Sequence, residues 1–369
     1  MNLGILGFTG GSALEYYISS LVNELGEKDG IDEILLFFPE HFDISEQMHE
    51  SVTVANFSFP RSTAKTLASS LNPLVYCRIS ELVESRAVDV LHLVSEIKTP
   101  FPLFKLLQRK LPTVATVHEP EAYVPTLMRS YLLNPLQNFN TAKIVRFADV
   151  TIVHGNNSKD KLSRYGIQNE EIEIIPHGTF APFFTRHESD IQSDQGNILF
   201  FGRIFPGKGI EYLVQAAGRL EEDFPDSSII IAGKGDEELV KARNKGSNIE
   251  LINRYIPEPE AAELFNRASV VVLPYTNGSQ SGIISIAAGY KTPVVATDVG
   301  NLSEMIKDGE TGIVVPPRDD AALADAIATL LSDDELRGTM GERARQFSES
   351  KFSWDSIADQ LVDIYERVQ

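Results

Sequence analysis

Asn197-Ile-Leu-Phe-Phe201 runs straight into Gly202-Arg203-Ile204-Phe205-Pro206-Gly207-Lys208-Gly209, and residues 210–221 then take up a helical period. A short unbroken apolar run bounded by glycine reads as a strand covered on both faces, because a strand open to water on one side would alternate instead. Strand, glycine-rich loop and amphipathic helix in that order are one step of a parallel sheet. Val270-Val-Val-Leu-Pro274 repeats the pattern, followed by the polar loop Tyr275-Thr-Asn-Gly-Ser-Gln-Ser-Gly282 and the apolar helix of residues 283–289.

The same alternation extends outward in both directions. Apolar runs fall at 3–7, 33–38, 52–57, 88–94, 113–117, 150–154, 172–175, 198–201, 228–232, 249–252, 270–273, 294–297 and 312–315. Helical patterns lie between them at 13–27, 64–85, 136–147, 158–165, 210–221, 261–267, 321–331 and 334–347. The fold class is therefore α/β with doubly wound parallel sheets. The stretch 176–196 has no period and is rich in polar and turn residues, as a linker would be. It divides the chain into a first domain of 1–178, a linker of 179–196, a second domain of 197–351 and a final helix of 352–369. On that helix Trp354, Ile357, Leu361, Ile364 and Val368 share a face, and Trp354 reads as a packing anchor.

The 369 residues carry 43% apolar and 23% charged residues, enough for two cores. The net charge of −19 argues against a nucleic-acid or anionic-membrane surface. The single cysteine, Cys77, excludes an internal disulfide, suits a cytoplasmic setting and reads as a small buried apolar residue. The N-terminal run lacks a basic n-region and reads as a first strand, and no run reaches the length of a membrane span. At most a peripheral membrane contact is expected.

The two loops that follow strands 197–201 and 270–273 are the best candidates for a site, since ligands of open α/β sheets sit beyond the C-terminal strand ends. Arg203 and Lys208 are placed to bracket two phosphoryl groups, one as a fork and one as a point charge. Gly202 lets backbone approach a phosphate, and Ser279, Gln280, Ser281 and the N–H groups of Gly282 and Ile283 offer further donors. Gly233-Lys234-Gly235, with Tyr255 and Ile256 after the next strand, are candidate contacts for a base or ribose. Gly10 and Gly11 open the first helix but lack the Gly-x-Gly-x-x-Gly spacing of a dinucleotide site. His118 ends a strand and either touches a polar ligand or bonds a backbone carbonyl. His177 reads as ordering the hinge, and His92 and His154 as packing residues. No zinc-type or carboxylate cluster is present, so no metal and no cofactor is expected.

In order along the chain, Gly10-Gly11, Val88-Asp-Val-Leu-His92, Thr116-Val-His118, Ala148-Asp-Val150, Ile174-Ile-Pro-His-Gly178, Gly202-Arg203, Lys208-Gly209, Ala232-Gly-Lys-Gly235, Pro293-Val-Val-Ala296, Asp298-Val-Gly300, Thr311-Gly312 and Phe352-Ser-Trp354 resemble the retaining glycosyltransferases of family 4. The resemblance runs nearly end to end. It implies the GT-B fold, with two Rossmann-like domains facing across a cleft and a C-terminal helix crossing back to the first. It implies a UDP-, GDP- or other nucleoside diphosphate sugar as donor, a carbohydrate or lipid-linked acceptor, and transfer with retention. Arg203 and Lys208 would hold the diphosphate, Gly10 and Gly11 would abut it, and His118 would contact the sugar. The family's two glutamates, spaced eight apart, are absent from Ser279-Gln-Ser-Gly-Ile-Ile-Ser-Ile-Ala287, and Glu304 is a candidate for the ribose contact. An epimerase or hydrolase of the same architecture and a non-catalytic nucleotide-sugar binder are the alternatives. Base, sugar, acceptor and oligomeric state stay open.

Overall fold

The computed structural model describes residues 1–7, 12–40, 48–57, 73–94, 111–120, 139, 141–164, 172–187, 196–241 and 248–369. The chain divides into two compact units, one of Met1–Gly178 with Trp354–Gln369 and one of Thr179–Ser353.

The first unit is built on seven parallel strands: β1 (Asn2–Leu6), β2 (Glu33–Pro39), β3 (Val52–Phe57), β4 (Val90–Leu93), β5 (Thr113–Thr116), β6 (Val150–Val153) and β7 (Ile172–Ile174), in the order β3-β2-β1-β4-β5-β6-β7. The chain enters at β1, winds out to β3, and returns to pair β4 against β1 (Leu3 opposite Val90). Burial explains the unbroken apolar runs, for Leu3, Ile5, Leu6, Val90, Leu91 and Leu93 are all inaccessible to solvent. The helix Ser12–Gly26 presents Tyr17, Ile18, Leu21, Val22 and Leu25 to this core.

The closing helix, Trp354–Val368, packs against Ser12–Gly26 in the same unit. Its buried face is Trp354, Ile357, Ala358, Leu361, Ile364 and Tyr365. The Trp354 indole lies so close to Gly178 that a Cβ there would fall 2.2 Å from it. At the helix start Lys28 bridges Asp355 and Asp359 at 2.5 and 2.7 Å.

The second unit repeats the winding with six parallel strands: β8 (Asn197–Phe201), β9 (Ser228–Ala232), β10 (Ile249–Ile252), β11 (Val270–Leu273), β12 (Val294–Thr297) and β13 (Gly312–Val315), in the order β10-β9-β8-β11-β12-β13. Here the reversal falls between β8 and β11, where Val270 lies opposite Ile198. Both units thus have the topological switch point that doubly wound sheets use for ligands.

Two sequence expectations are corrected. Within the expected linker, Ala181–Thr185 is a helix. Phe180 and Phe184 are buried, and the helix packs on Ile283–Gly289. The aromatic side chains bury apolar surface, which outweighs the turn-rich composition around them. Cys77 is exposed rather than buried, because the buried positions of its helix are Ile79 and Val83.

Candidate active site

In the second unit the loops at the C-terminal strand ends are joined to one another. Gly202 N–H donates to Ala232 O at 2.9 Å, Ile204 N–H to Lys234 O at 3.1 Å, and Asp236 N–H to Ile204 O at 2.9 Å. Gly233, at φ +148°, lies where a Cβ would stand 1.9 Å from Gly202 O, so only glycine allows this approach. On the other side, Gly207 O accepts from Thr276 N–H and Asn277 N–H at 3.0 and 3.2 Å. Gly209, at φ +63°, would put a Cβ 1.8 Å from Pro274 O. Asn301 N–H, after β12, donates to Ser279 O at 2.6 Å. The loops after β9, β8, β11 and β12 therefore form one continuous rim across the switch point.

That rim carries the two cations. The Lys208 ammonium lies 3.5 Å from the Tyr275 ring centroid, a cation–π distance. Tyr275 is itself fixed, with 1% of its surface exposed. Its hydroxyl bonds Ser281 Oγ at 3.1 Å, and its carbonyl accepts from Thr297 Oγ1 at 2.6 Å. The Arg203 guanidinium and the Lys208 ammonium stand 5.5 and 5.7 Å from the same Phe205 ring. Arg203 is exposed and Lys208 half-buried. Both follow Gly202 on the path into helix Ile210–Leu220, whose first N–H groups favour an anion.

The remaining expected contacts scatter around this centre. Ser279 and Ser281 are buried, Gln280 is half-buried, and Gly282 precedes the helix Ile283–Gly289. That helix has only seven residues, so its dipole adds less than that of Ile210–Leu220. Ring atoms of Phe180 lie against Gly282, 2.4 Å from where a Cβ would be. Lys234 and Gly235 are exposed, and Glu304 is exposed on the turn Ser303–Met305. Tyr255 is 64% exposed, whereas Ile256 is buried, which leaves only its backbone for a ligand. Arg254 is held by Glu260 through bonds of 2.5 and 2.7 Å. Ala287, at the far end of the stretch that lacks the family's glutamates, is fully buried. Gly10 and Gly11 lie outside the described residues, as does most of the loop 119–135.

In the first unit, the same edge of the sheet carries a cluster that sequence spacing did not join. His118 follows β5, His154 follows β6 and His177 follows β7. His118 Nε2–H donates to Val94 O at 3.0 Å, and the ring keeps part of its surface exposed. Its Nδ1 faces His154 Nε2 at 3.0 Å, and His154 Nδ1–H donates to Ile175 O at 2.9 Å. His177 Nδ1–H donates to Gly178 O at 2.8 Å. The Tyr17 ring sits among them, with centroids 4.7, 5.8 and 5.0 Å from His118, His154 and His177, and 5.1 Å from Trp354. Alongside, His92 bonds the Tyr365 hydroxyl at 2.6 Å and Thr116 Oγ1 at 2.8 Å.

Burial dominates the titration of this cluster, because a charged ring loses its hydration there. It lowers His118 to about 3, reinforced by His177, and lowers His92 to about 3 and His177 to about 4. His154 is pushed well below its usual value by burial and then by His118. Tyr17 is pushed up by burial, a shift opposed by its bond to Thr116.

Among the described residues no group of three or more His, Cys, Asp or Glu side chains is arranged to hold a metal ion, and no helix is long and apolar enough to cross a membrane.

Comparison with known proteins gives two family matches. Residues 14–179 match the model described as Glycosyltransferase Family 4, and residues 195–333 the one described as Glycosyl transferases group 1. The alpha-D-kanosaminyltransferase of Streptomyces kanamyceticus is 27% identical over 278 residues, covering 70% of this chain and 71% of that protein. The matched stretch spans 53% of the length of a D-inositol 3-phosphate glycosyltransferase of Paenarthrobacter aurescens, 33% identical over 219 residues, and 78% of a phosphatidyl-myo-inositol mannosyltransferase of Mycobacterium leprae, 28% identical over 309 residues. Two solved structures share the fold over the whole chain. Sucrose-phosphate synthase from Thermosynechococcus elongatus has a TM-score of 0.80 at 21% identity, with 100% of this chain and 98% of that one covered. HepE of Anabaena, in complex with UDP and glucose, has a TM-score of 0.71 at 17% identity, with 100% of each chain covered.

Proposed function

We propose, from the premise that the chain is a glycosyltransferase of the family 4 and group 1 type with the GT-B fold, that it moves a sugar from a nucleoside diphosphate sugar to an acceptor hydroxyl with retention. The observation that carries this reading is the joined rim at the β8–β11 switch point, which supports Arg203 and Lys208 around one aromatic ring. Backbone N–H groups, glycine approach and two cations are the components that diphosphate recognition requires. The solved HepE complex with UDP and glucose supports the choice of ligand class, as a likeness of fold.

In this reading the protein stabilises the leaving diphosphate. Negative charge builds on the phosphoryl oxygen as the glycosidic bond lengthens. Lys208 meets that charge from a seat already made on the buried Tyr275 ring, and Arg203 meets it from beside Phe205. The departing oxygen takes the acceptor proton, and attack comes from the face the nucleotide leaves. His118 contacts the sugar, Ser279, Gln280 and Ser281 replace the family's first carboxylate, and Glu304 meets the ribose. Carbohydrate and lipid-linked hydroxyls are the acceptor classes.

The test is incubation with a panel of UDP-, GDP- and other nucleotide sugars, with and without carbohydrate acceptors, reading nucleoside diphosphate release and product anomeric configuration. Acceptor-dependent release with a retained anomer is expected. An inverted product overturns retention. Consumption without an acceptor favours isomerisation or hydrolysis, and binding without consumption favours a non-catalytic partner.

A further inference from the structure

Phe180-Ala-Pro-Phe-Phe-Thr185 is built onto the helix that follows the loop Ser279–Gly282. Both belong to the second unit, which the chain enters at Thr179. Phe180 N–H donates to Ser285 Oγ at 3.1 Å, and Ser285 Oγ–H donates in turn to Gly282 O at 2.9 Å. Gly282 O also accepts from Ile286 N–H at 3.2 Å. Cδ2 and Cε2 of the Phe180 ring stand 2.4 and 2.7 Å from where a Gly282 Cβ would be. Gly282 has φ −62° and ψ −14°, which any residue adopts. Space, not conformation, therefore demands glycine here, for the Phe180 ring fills the volume that a side chain at 282 would need. At the other end of the helix a Cβ on Gly289 would meet Ala181 Cβ at 2.7 Å, so the two elements touch along the whole of Ile283–Gly289.

From Gly282 a line of contacts reaches a cation of the rim. Ser281, the preceding residue, is buried, and its Oγ bonds the Tyr275 hydroxyl at 3.1 Å. Tyr275 turns the face of its ring to the Lys208 ammonium, 3.5 Å from the centroid. Among the described residues that ammonium has no carboxylate or hydrogen-bond acceptor, and what it meets is the rings of Tyr275 and Phe205. A cation held by a ring face follows the ring when the ring moves. The opposite end of the loop is pinned separately, by Asn301 N–H on Ser279 O at 2.6 Å. The Gly282 end is held by Phe180 and Ser285, both buried.

We propose that Phe180 is a positioning residue of the cation rim. Its ring, seated on Gly282, sets Ser281; Ser281 sets the Tyr275 ring; and that ring sets the Lys208 ammonium. The proposal rests on the glycosyltransferase reading above for the ligand that Lys208 holds. Phe180 itself touches no part of that ligand, and its effect travels through packed side chains and one hydrogen bond. The residue that follows the crossing into the second unit is in this way part of the frame of the site.

The experiment makes two measurements on the full chain. Calorimetric titration with UDP, GDP and ADP gives nucleotide affinity. Proton–carbon NMR of the ligand-free protein gives the Lys208 ε-methylene signal, which the Tyr275 ring face shifts upfield and which is assigned by its loss in Lys208→Ala. Phe180→Ala should weaken nucleotide binding by roughly 2- to 30-fold and move the Lys208 signal toward that of an ordinary lysine. Phe180→Leu, which keeps bulk against Gly282, should retain most of both. With Lys208 already changed to alanine, Phe180→Ala should cost little more, because the group it acts through is gone. Gly282→Ala pushes on the ring from the other side and should move the same signal, and it serves if Phe180→Ala does not fold. An unchanged Lys208 signal in these variants overturns the inference whatever binds. Fully additive losses for Phe180→Ala and Lys208→Ala overturn it too, and leave the proposed function standing. If the signal moves but the wild type binds none of the three nucleotides, the donor reading falls and the positioning of Lys208 by Phe180 stands.

Discussion

Two sheets wound in the same way carry opposite chemistry at the same edge. In the second unit the loops beyond β8 and β11 are glycine-built, and their cations rest on aromatic rings near the surface. In the first unit, the ends of β5, β6 and β7 carry histidines sunk among Tyr17 and Trp354 and tied to carbonyls. One edge presents fixed positive charge without needing a proton. The other is neutral by burial, and any charge it gains must come with a proton. The shared winding supplies the location of both, and the side chains decide what each can bind.

The sharpest way to break the contrast is to remove a fixed charge. Lys208→Ala should lower turnover by about two to three orders of magnitude, read as initial rate at saturating donor. A near-normal rate would remove Lys208 from any diphosphate role and leave the rim as an ordinary strand–helix junction.

Glycine geometry is the next lever, and it acts on each unit by itself. Gly178→Ala drives a methyl into the Trp354 indole, 2.2 Å away, and should cost roughly 2–3 kcal/mol in denaturant unfolding. Gly209→Ala adds a left-handed backbone conformation to its clash with Pro274 O and should damage the rim comparably. Full stability in Gly178→Ala would mean that the closing helix is not seated as described.

Acid separates the two edges without mutation. The four buried histidines have folded-state pKa values below the unfolded value of about 6.5. Between these values the unfolded chain binds more protons than the folded one, so stability rises with pH. It should be complete above about 6.5 and fall on acidification toward about 3, the folded-state value of His92 and His118. Each histidine contributes at most about 1.4 kcal/mol per pH unit. Urea midpoints at a series of pH values test this, and a flat profile over that window would show that the rings are not held neutral.

The smallest expected effect is at Tyr365→Phe, which leaves the buried His92 Nδ1 without its 2.6 Å partner. About 1–3 kcal/mol should be lost, and unfolding should become less cooperative if the closing helix frays first.

The strands were legible because each is covered on both faces, which leaves a continuous apolar run. Val270–Leu273 and Val294–Thr297 are examples, buried at every position. The cations were legible because glycines and a strand end bracket them. Helix Ala181–Thr185 was hidden, since five residues give no period and its burial depends on a distant partner, Ile283–Gly289. The histidine cluster was hidden for a related reason. His118 and His154 are 36 residues apart, and only the pairing of β5 with β6 brings them together. Tyr365 carries a signal in the sequence itself. It sits one position from Ile364 on the apolar face, with a hydroxyl that burial obliges to find a partner.

The first unit is completed by residues 354–369, on the far side of the entire second unit. Synthesis therefore imposes a wait. With translation at about 5–20 residues per second, residues 1–178 emerge on the order of 10–35 s before the helix that covers Tyr17 and His92. During that interval an apolar face of the growing chain stands uncovered while the later, continuous unit is free to fold. The unit whose first 178 residues precede the other is thus the last that can finish folding.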